Sequence, residues 1–553
     1  MFSFGVIRRA LIYSFLSFSL FVGCKDTASH PAAEQASADG SIAPAQPSGA
    51  DPIAAPPPAV IPAPVSVGQE PPGVQAPRLR LTLGGSGSDE GWLSSPAVAD
   101  LDQDGRPEII AARGRTLYVW HSDGSLFWKG VASTTGRIWG PPVVADLDGD
   151  GRLEVAVGSH QEKISVFQWN GAPKAGWPKL LGGTSEIRSL AAGVINSNGK
   201  MGLLAARTST KPIAHLFDHT GTALPGWPQL SSATGCTLTV NCFEAGAYNQ
   251  NVGMADLNGD GKTDLIVSYD TAYSGVFHLN GAPFAADPQT FVRPFFSGIP
   301  AFHDYALAKQ GFGPDGKDRS EFTDSPPVVA DLDGNGKREL ILVGDHELAG
   351  DTTNRGNALF VFHADATRAA GFESPFETAG PLVYDDPGAN ILDVTPAPAV
   401  ADLDRDGKKE ILFPSYDGNM YAVHSDGTLF WKFSFADNGA RFASEPVVAD
   451  LNNDGFPEVI FTTYETVAGK GALVILDHNG EKVAQVSLSG RGAMAAPTVA
   501  DLDGDGELEV IVSLKDATSQ GGIQVYSVPG SKTNQILWGT GRGNLLRNGD
   551  ATR

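Results

Sequence analysis

The chain has 553 residues, and its 63 Asp and Glu against 40 Lys and Arg give a net charge of −23 at pH 7. This acidity excludes a good electrostatic match to nucleic acid or to an anionic lipid surface. The length would allow several domains, but repeats along most of the chain favour a single body.

The N-terminus has the features of a secretory signal over residues 1–23. Arg8 and Arg9 form a basic segment, and the apolar run that follows, Ala10 to Val22, is too short to span a bilayer. The run ends in Leu-Phe-Val-Gly-Cys at residues 20–24, which resembles the lipobox of bacterial lipoproteins, where cleavage leaves the cysteine as the lipid-modified first residue. Phe21 stands where an aliphatic residue is usual, so a plain cleaved signal with an incidental Cys24 is the alternative.

Residues 24–78 are predicted to be the lipid-anchor cysteine and a disordered linker rich in Ala and Pro. The segment has almost no large apolar residues, so it cannot bury enough surface to offset the entropy of ordering. As an extended tether it would reach on the order of 150 Å. We therefore expect an exported monomer, held in the bacterial cell envelope through its N-terminal lipid alone.

One acidic loop occurs seven times between Ala99 and Glu509. Each copy has Asp at position 1, Asp or Asn at positions 3 and 5, Gly at 6, and Asp or Glu at 9. The predicted metal ligands are Asp100, Asp102, Asp104, Glu108; Asp146, Asp148, Asp150, Glu154; Asp256, Asn258, Asp260, Asp264; Asp331, Asp333, Asn335, Glu339; Asp402, Asp404, Asp406, Glu410; Asp450, Asn452, Asp454, Glu458; and Asp501, Asp503, Asp505, Glu509.

These loops have the oxygen-rich pattern that calcium requires. Calcium takes six to eight oxygen ligands, and alternate side chains of a tight loop converge on one point if a glycine permits the reversal. Such a motif arises by chance at roughly one position in ten thousand, so seven copies indicate about seven calcium ions rather than plain Asp-Gly turns. Seven divalent ions would reduce the net charge from −23 to about −9. The metal-free protein should therefore be less stable.

An eighth copy, from Gly193, is degraded. Val194 and Gly202 stand at positions 1 and 9, and only Asn196 and Asn198 remain as oxygen donors. We predict that this copy binds no calcium.

Apolar strands surround every loop. A short strand such as PVVAD precedes it, a run such as EIIAAR or EVAVGS follows it, and a third and a fourth strand come next, the fourth often with Trp. The runs are apolar nearly throughout, which indicates sheets covered on both faces. Four short strands per repeat predict an all-β, eight-bladed propeller over residues 79–553, with seven blades as the alternative.

Ring closure can also be predicted. Leu79 to Leu83 is a strand ahead of the first repeat, and we expect it to complete the last blade, since closure removes free sheet edges. Residues 536–549 contain Gly539, Gly541 and Gly543. A turn-rich closing segment is favoured over a phosphate-binding loop, because a lone glycine cluster is weak evidence for one.

The repeated DxDxDGxxE motif resembles the FG-GAP/VCBS repeat family, the β-propellers related to the head of integrin α-subunits. The resemblance covers roughly residues 79–553. It implies one calcium ion in the loop between the first two strands of each blade.

Strand order predicts which face could bind a ligand. Loops that join strands 1 and 2 share one face of the ring, whereas the long insertions in residues 233–250, 300–324, 346–357 and 373–395 fall on the other. Candidate ligand contacts there are Phe243, Tyr248, Asn249, Phe302, His303, Asp304, Tyr305, His346, Tyr384 and Asp385. Cys236 and Cys242 can pair in an oxidising compartment. The alternative is that these insertions have no role in binding.

Three functions fit these features. The leading hypothesis is a non-catalytic binding or adhesion module for an envelope or extracellular protein or glycan, without nucleic acid as a partner. A rhamnogalacturonan-lyase-like enzyme is the alternative, although no base stands out beside the acidic loops. A quinone-dependent dehydrogenase is a second alternative, weakened because Cys236 and Cys242 are not adjacent.

Overall fold

The computed structural model describes residues 73–84, 90–132, 135–209, 212, 214–229, 246–268, 273–282, 284, 298–300, 318–321, 325–348, 354–365, 367–380, 382, 395–436, 439–440, 442–516, 521–531 and 535–552. All of them belong to one unit, Ala63–Arg553. The predicted signal sequence, the predicted linker up to residue 72, and Cys24, Cys236 and Cys242 lie outside the described residues. Within the described ranges, no helix is long and apolar enough to cross a membrane.

The strands form eight antiparallel sheets in sequence order, which confirms the eight-bladed propeller and excludes seven blades. Blades 1 to 4 comprise Ala97–Ala99, Glu108–Arg113, Thr116–Trp120 and Leu126–Val131; Val143–Ala145, Glu154–Ser159, Lys163–Phe167 and Lys179–Leu180; Ile187–Val194, Met201–Arg207 and Ala214–Asp218; and Val252–Ala255, Asp264–Ser268, Tyr273–His278 and Gly298–Pro300.

Blades 5 to 8 include strands from both ends of the chain. They comprise Val328–Ala330, Glu339–Leu348, Asn354–His363 and Phe376–Glu377, with Asp318–Glu321 added; Ala399–Ala401, Glu410–Pro414, Asn419–Val423 and Leu429–Ser434; Val447–Ala449, Glu458–Tyr464, Ala472–Leu476 and Lys482–Ser487, with Phe442–Ala443 and Ile536–Trp538 added; and Thr498–Ala500, Leu508–Ser513, Ile523–Val528 and Arg78–Leu83.

The burial of each strand follows its place in the blade. The second strands, such as Glu108–Arg113 and Leu508–Ser513, are buried at every residue. This explains their unbroken apolar sequence, because neighbouring blades cover both faces of each sheet. Fourth strands lie at the rim, where Leu126 is 50% and Leu180 is 67% exposed.

Tryptophans connect neighbouring blades. The indole Nε1 of Trp128 donates to Trp169 O at 2.8 Å, and that of Trp431 donates to His478 O at 2.9 Å. Trp177 and Trp227 make the equivalent bonds, each to the turn after the third strand of the following blade. A buried indole N–H needs an acceptor, and here the next blade supplies it.

The N-terminal strand closes the ring as predicted. Arg78–Leu83 pairs antiparallel with Ile523–Val528, the third strand of blade 8. The C-terminal segment, in contrast, adds no strand to blade 8. Ile536–Trp538 pairs with the first strand of blade 7, and the remaining residues make turns.

This C-terminal segment, residues 535–552, fills the axial channel and is called the axial tail below. Its backbone carbonyls accept N–H bonds from first strands around the ring: Val144 to Leu545, Ala192 to Leu546, Met254 to Asn548, Val329 to Gly549 and Val499 to Gly539. One short segment can touch so many blades only at the centre. First strands therefore line the channel, and the glycine-rich closing segment is its filling rather than a phosphate loop.

The predicted insertion at residues 346–357 is largely a hairpin instead of a loop. The second and third strands of blade 5 extend to Leu348 and from Asn354, and the added strand Asp318–Glu321 pairs beside them. His346 consequently lies within a strand, opposite Ser320.

Candidate functional site

All seven acidic loops have the same hydrogen-bond pattern. The carboxylate at position 9 accepts the N–H of the Leu at position 2 at 2.6–3.0 Å in every copy. The Asp at position 1 accepts the N–H of the Gly at position 6 at 2.9–3.1 Å. These bonds hold positions 1 and 9 together and orient the loop before any ion binds.

In several loops a second oxygen of the same carboxylates is buried without a hydrogen-bond donor. Such oxygens are Oδ1 of Asp100, Asp331, Asp402 and Asp450, all at position 1. Buried carboxylate oxygens without donors are costly, and a bound cation would satisfy them.

The spacing of these oxygens also suits an ion. In blades 1 and 6, one carboxylate oxygen from each of positions 1, 3 and 5 lies within 4.8 Å of the others. The sets are Asp100, Asp102 and Asp104, and Asp402, Asp404 and Asp406. The loops can therefore hold a metal ion, and the residues present fit one.

The electrostatics of the metal-free loops also favour a bound cation. Burial, reinforced by the neighbouring Asp454 and Asp450, raises the pKa of Glu458 to about 8. Burial with nearby carboxylates raises the pKa of Glu339 and of Glu509 to about 7. Like charges forced together out of water favour the protonated acid, and a cation would remove this penalty.

In four blades a histidine contacts the position 9 acid. Nδ1 of His121, His278, His363 and His424 lies 3.0–3.4 Å from Glu108, Asp264, Glu339 and Glu410. The sequence analysis did not connect these histidines with the loops. The signal was present, because each histidine is either the last residue of the third strand of its repeat or the residue directly after it. In blades 2 and 8, Lys174 and Arg80 contact the acid instead.

The degraded third loop differs in its construction. The first strand of blade 3 runs on to Val194, and Ile195 N–H donates to Lys200 O at 3.1 Å. Asn196 and Asn198 side chains accept the Lys200 N–H. This loop is a hairpin turn closed by its own backbone.

A second cluster lies on the face opposite the acidic loops, and we call it the tryptophan cluster. Trp92 and Trp139 precede the first strands of blades 1 and 2 and stack with ring centroids 4.5 Å apart. The Arg137 guanidinium lies 3.8 Å from the Trp92 centroid, and Arg188 lies 3.8 Å from that of Trp139. Lys515 Nζ also lies over Trp92.

Charged neighbours surround this cluster. Arg137 and Arg188 both pair with Glu186, at 3.2 and 2.7 Å. Arg491 bonds Glu90 and Asp516 on the other side. Trp139 is buried, whereas Trp92 is partly exposed. The sequence analysis missed this cluster, since its members are scattered from Glu90 to Asp516.

Among the predicted ligand contacts, Tyr248 and Asn249 lie close to this face. Arg188 Nη1 donates to Tyr248 O at 3.2 Å. Asn249 is fully buried and donates from Nδ2 to Thr395 O at 2.6 Å, so it supports the loop and cannot be a surface contact. Phe243, Phe302, His303, Asp304, Tyr305, Tyr384 and Asp385 lie outside the described residues.

Two cavities of about 520 Å³ flank the axial tail on the acidic-loop face. One is lined in part by Asp402, Lys409 and Asp550, and the other in part by Asp256, Arg338 and Thr552. The sequence could not predict either cavity, because the tail forms a wall of both.

Comparisons with known proteins agree with this architecture. An FG-GAP-like repeat family matches residues 100–157, 402–461 and 450–512, and an FG-GAP repeat family matches residues 248–282. No curated protein matches the sequence.

Several solved structures are similar to this chain at low sequence identity. The V. cholerae biofilm matrix protein Bap1 is 14% identical, with 83% of this chain and 92% of that chain covered and a TM-score of 0.40. Rhamnogalacturonan lyase YesW is 15% identical, with 84% and 76% covered and a TM-score of 0.45. Saccharomyces cerevisiae Sqt1 is 10% identical, with 82% and 100% covered and a TM-score of 0.48.

Proposed function

We propose that this FG-GAP-type repeat protein is a calcium-stabilised, non-catalytic binding module of the bacterial cell envelope. It recognises a protein or glycan on the face opposite its acidic loops. The observation that carries the proposal is the repeated loop itself, with seven copies of one hydrogen-bond pattern and buried carboxylate oxygens left without donors.

Calcium is the ion that the donor set favours. Every ligand position supplies carboxylate or amide oxygen, and hard oxygen donors in a flexible loop suit calcium better than softer metals. The repeated bonds to Leu and Gly N–H groups fix the turn at one end of each blade. Calcium in these loops therefore acts on stability instead of chemistry.

Calcium removal tests this part directly. We expect EDTA to lower the melting temperature by several degrees and added calcium to restore it. Magnesium at equal concentration should restore less, because it prefers a smaller octahedral shell with retained waters. An unchanged melting temperature with EDTA, together with no bound calcium by elemental analysis, would contradict the proposal.

The opposite face is favoured for recognition by its residue types. The tryptophan cluster combines a partly exposed Trp92 with the guanidinium of Arg137, and Trp and Arg are the residues most enriched at the centres of binding surfaces. One insertion predicted for this face, residues 233–250, ends beside it, since Tyr248 O accepts a hydrogen bond from Arg188 Nη1.

A glycan array and an envelope pull-down would identify the ligand class. The probe is the exported chain without residues 1–24, compared with a version in which the four insertions are shortened. We expect binding by the first and loss in the second, with equal calcium content. Equal binding by both versions would refute the assignment of the face.

The envelope location rests on residues 1–24 and has its own test. If Cys24 carries the lipid, Cys24→Ser should move the protein from the membrane fraction to the soluble exported fraction without changing the melting temperature of the propeller. Membrane recovery of Cys24→Ser at the level of the original chain would contradict a lipid anchor.

A further inference from the structure

Among the described acidic loops, two differ from the others, because in each a cation of the chain bridges the carboxylates at positions 3 and 9. In blade 2, Lys174 Nζ lies 2.9 Å from Glu154 Oε1 and also bonds Asp148 Oδ2. The Lys174 side chain is 8% exposed. Asp148 and Glu154 are positions 3 and 9 of their loop, so the ammonium bridges two of the carboxylates that are predicted to bind a metal ion.

The register of the blades shows why Lys174 reaches this place. Its backbone N–H donates to Val166 O, the bond that Leu224 makes to Leu216 O in blade 3 and Phe284 makes to Val276 O in blade 4. The position is thus structurally equivalent among blades. Only its side chain is changed, from an apolar group to a lysine.

A second change accompanies the lysine. In blades 1, 4 and 6 a phenylalanine packs on the histidine that contacts the position 9 acid, as in the pairs His121 with Phe127 and His278 with Phe284. In blade 2 the histidine position holds Gln168, whose N–H makes the same turn bond, to Ala172 O. A His–Phe pair is therefore replaced by Gln168 and Lys174 together.

Blade 8 also has a cation of the chain at positions 3 and 9 of its loop, but this cation comes from the fourth strand of the blade. Its fourth strand comes from the N-terminus, and Arg80 on that strand bonds Asp503 Oδ2 at 2.7 Å and Glu509 Oε1 at 3.3 Å. These carboxylates are again positions 3 and 9. In blade 4, by contrast, Arg338 contacts Asp256 at position 1, through the Oδ2 that also accepts the Gly261 N–H.

A lysine or arginine and a calcium ion cannot share one pair of carboxylates. Both cations would lie within about 4 Å of each other in a partly buried site, where like charges repel by several kcal/mol. The side chain is tethered at high effective concentration, whereas calcium modules outside the cell often bind at about 10⁻⁴ to 10⁻³ M. The tethered cation therefore outcompetes calcium for these carboxylates.

We propose that Lys174 and Arg80 act as built-in counter-ions, so that the loops of blades 2 and 8 bind no calcium and the chain binds five ions instead of seven. The inference rests on the proposed calcium binding by the other loops. It makes the ring independent of calcium at blade 8, where the N-terminal strand closes the ring.

Calcium counting with single substitutions tests the inference. The original chain, Lys174→Met, Arg80→Met and the double variant are compared by equilibrium dialysis with radioactive calcium at saturation. Lys179→Met, in the same blade, and Arg78→Met, on the same strand, are the controls. We expect five ions for the original chain and both controls, six for each single variant and seven for the double variant.

A second measurement can be made on the original chain alone, so it does not depend on the folding of any variant. Crystals grown with calcium should show anomalous peaks in the loops of blades 1, 4, 5, 6 and 7, and in that of blade 2 only after Lys174→Met. Seven ions in the original chain, or five in every variant, would overturn the inference while leaving calcium binding intact. No ion in any variant would overturn the proposed calcium role as well.

Discussion

Trp538 Nε1 donates a 2.9 Å hydrogen bond to Glu445 Oε1 inside the axial channel. The same oxygen accepts the backbone N–H of Arg542 at 2.6 Å, and the Arg542 and Arg547 side chains are fully buried beside it. Charged groups persist in a protein interior only when their partners are kept. The axial tail is therefore part of the folded ring and not an appendage.

Removing one of these arginines should destabilise the whole propeller. Arg547 donates to Pro96 O, Pro142 O and Gly541 O at 2.6–3.0 Å, which joins blades 1 and 2 to the tail. Arg547→Met would leave buried carbonyls without donors, and we expect a loss of about 3 kcal/mol in the free energy of unfolding. Urea denaturation measures it. The exposed Arg78→Met should change stability by less than about 0.5 kcal/mol, and an equal effect of both would contradict a central role of the tail.

The metal-free protein should lose stability as the pH rises. The pKa of Glu458 is raised in the folded chain from 4.5 to about 8, so the folded state binds this proton more tightly than the unfolded state does. Its contribution is complete below about pH 4.5 and is lost as the pH rises through 8. With EDTA we expect a higher melting temperature at pH 5 than at pH 8.

Calcium should reverse this pH dependence. The ion binds the ionised carboxylates, so its stabilising effect grows with pH. Differential scanning calorimetry at pH 5 and pH 8, with EDTA or saturating calcium, gives the four values needed. Glu458→Gln should reduce the fall in the EDTA series. A metal-free protein that is most stable at pH 8 would contradict this account.

The tryptophans between blades should contribute individually. Trp431→Phe removes the 2.9 Å bond to His478 O and part of the indole volume. A lost buried hydrogen bond and a small cavity together predict a decrease of about 2 kcal/mol in the free energy of unfolding. Guanidinium denaturation with unchanged calcium content is the measurement. A decrease below about 0.5 kcal/mol would show that the next blade does not depend on this bond.

Substitution in the tryptophan cluster should separate recognition from stability. Once a ligand is identified, Trp92→Ala should weaken its binding by at least about 30-fold, the effect of a central aromatic contact. Trp169→Ala is the matched control, because Trp169 lies in the turn before the fourth strand, on the acidic-loop face. Equal loss in both variants, measured by calorimetry, would refute the choice of face.

The sequence by itself determined the strands that make up each blade and the order of the blades in the ring. The acidic loop, the apolar strands behind it and the spacing of the copies are local patterns, and each strand pairs with a neighbour along the chain. Ring closure by Arg78–Leu83 could also be predicted from the sequence, because one extra strand precedes the first repeat and the last repeat has only three clear strands. The place of each acidic loop within its blade could be predicted from the number of residues between the strands.

Only the tertiary structure decided what lies between blades. Arg547 meets Pro96 across 451 residues, and Arg491 meets Glu90 across 401. Lys174 bonds Glu154 across 20 residues, through a turn whose register has to be known first. Local periodicity carries no information about such contacts, since the first two arise from closing the ring and the third depends on the register of one turn. The axial tail, the tryptophan cluster and the two built-in counter-ions therefore emerged only from the fold.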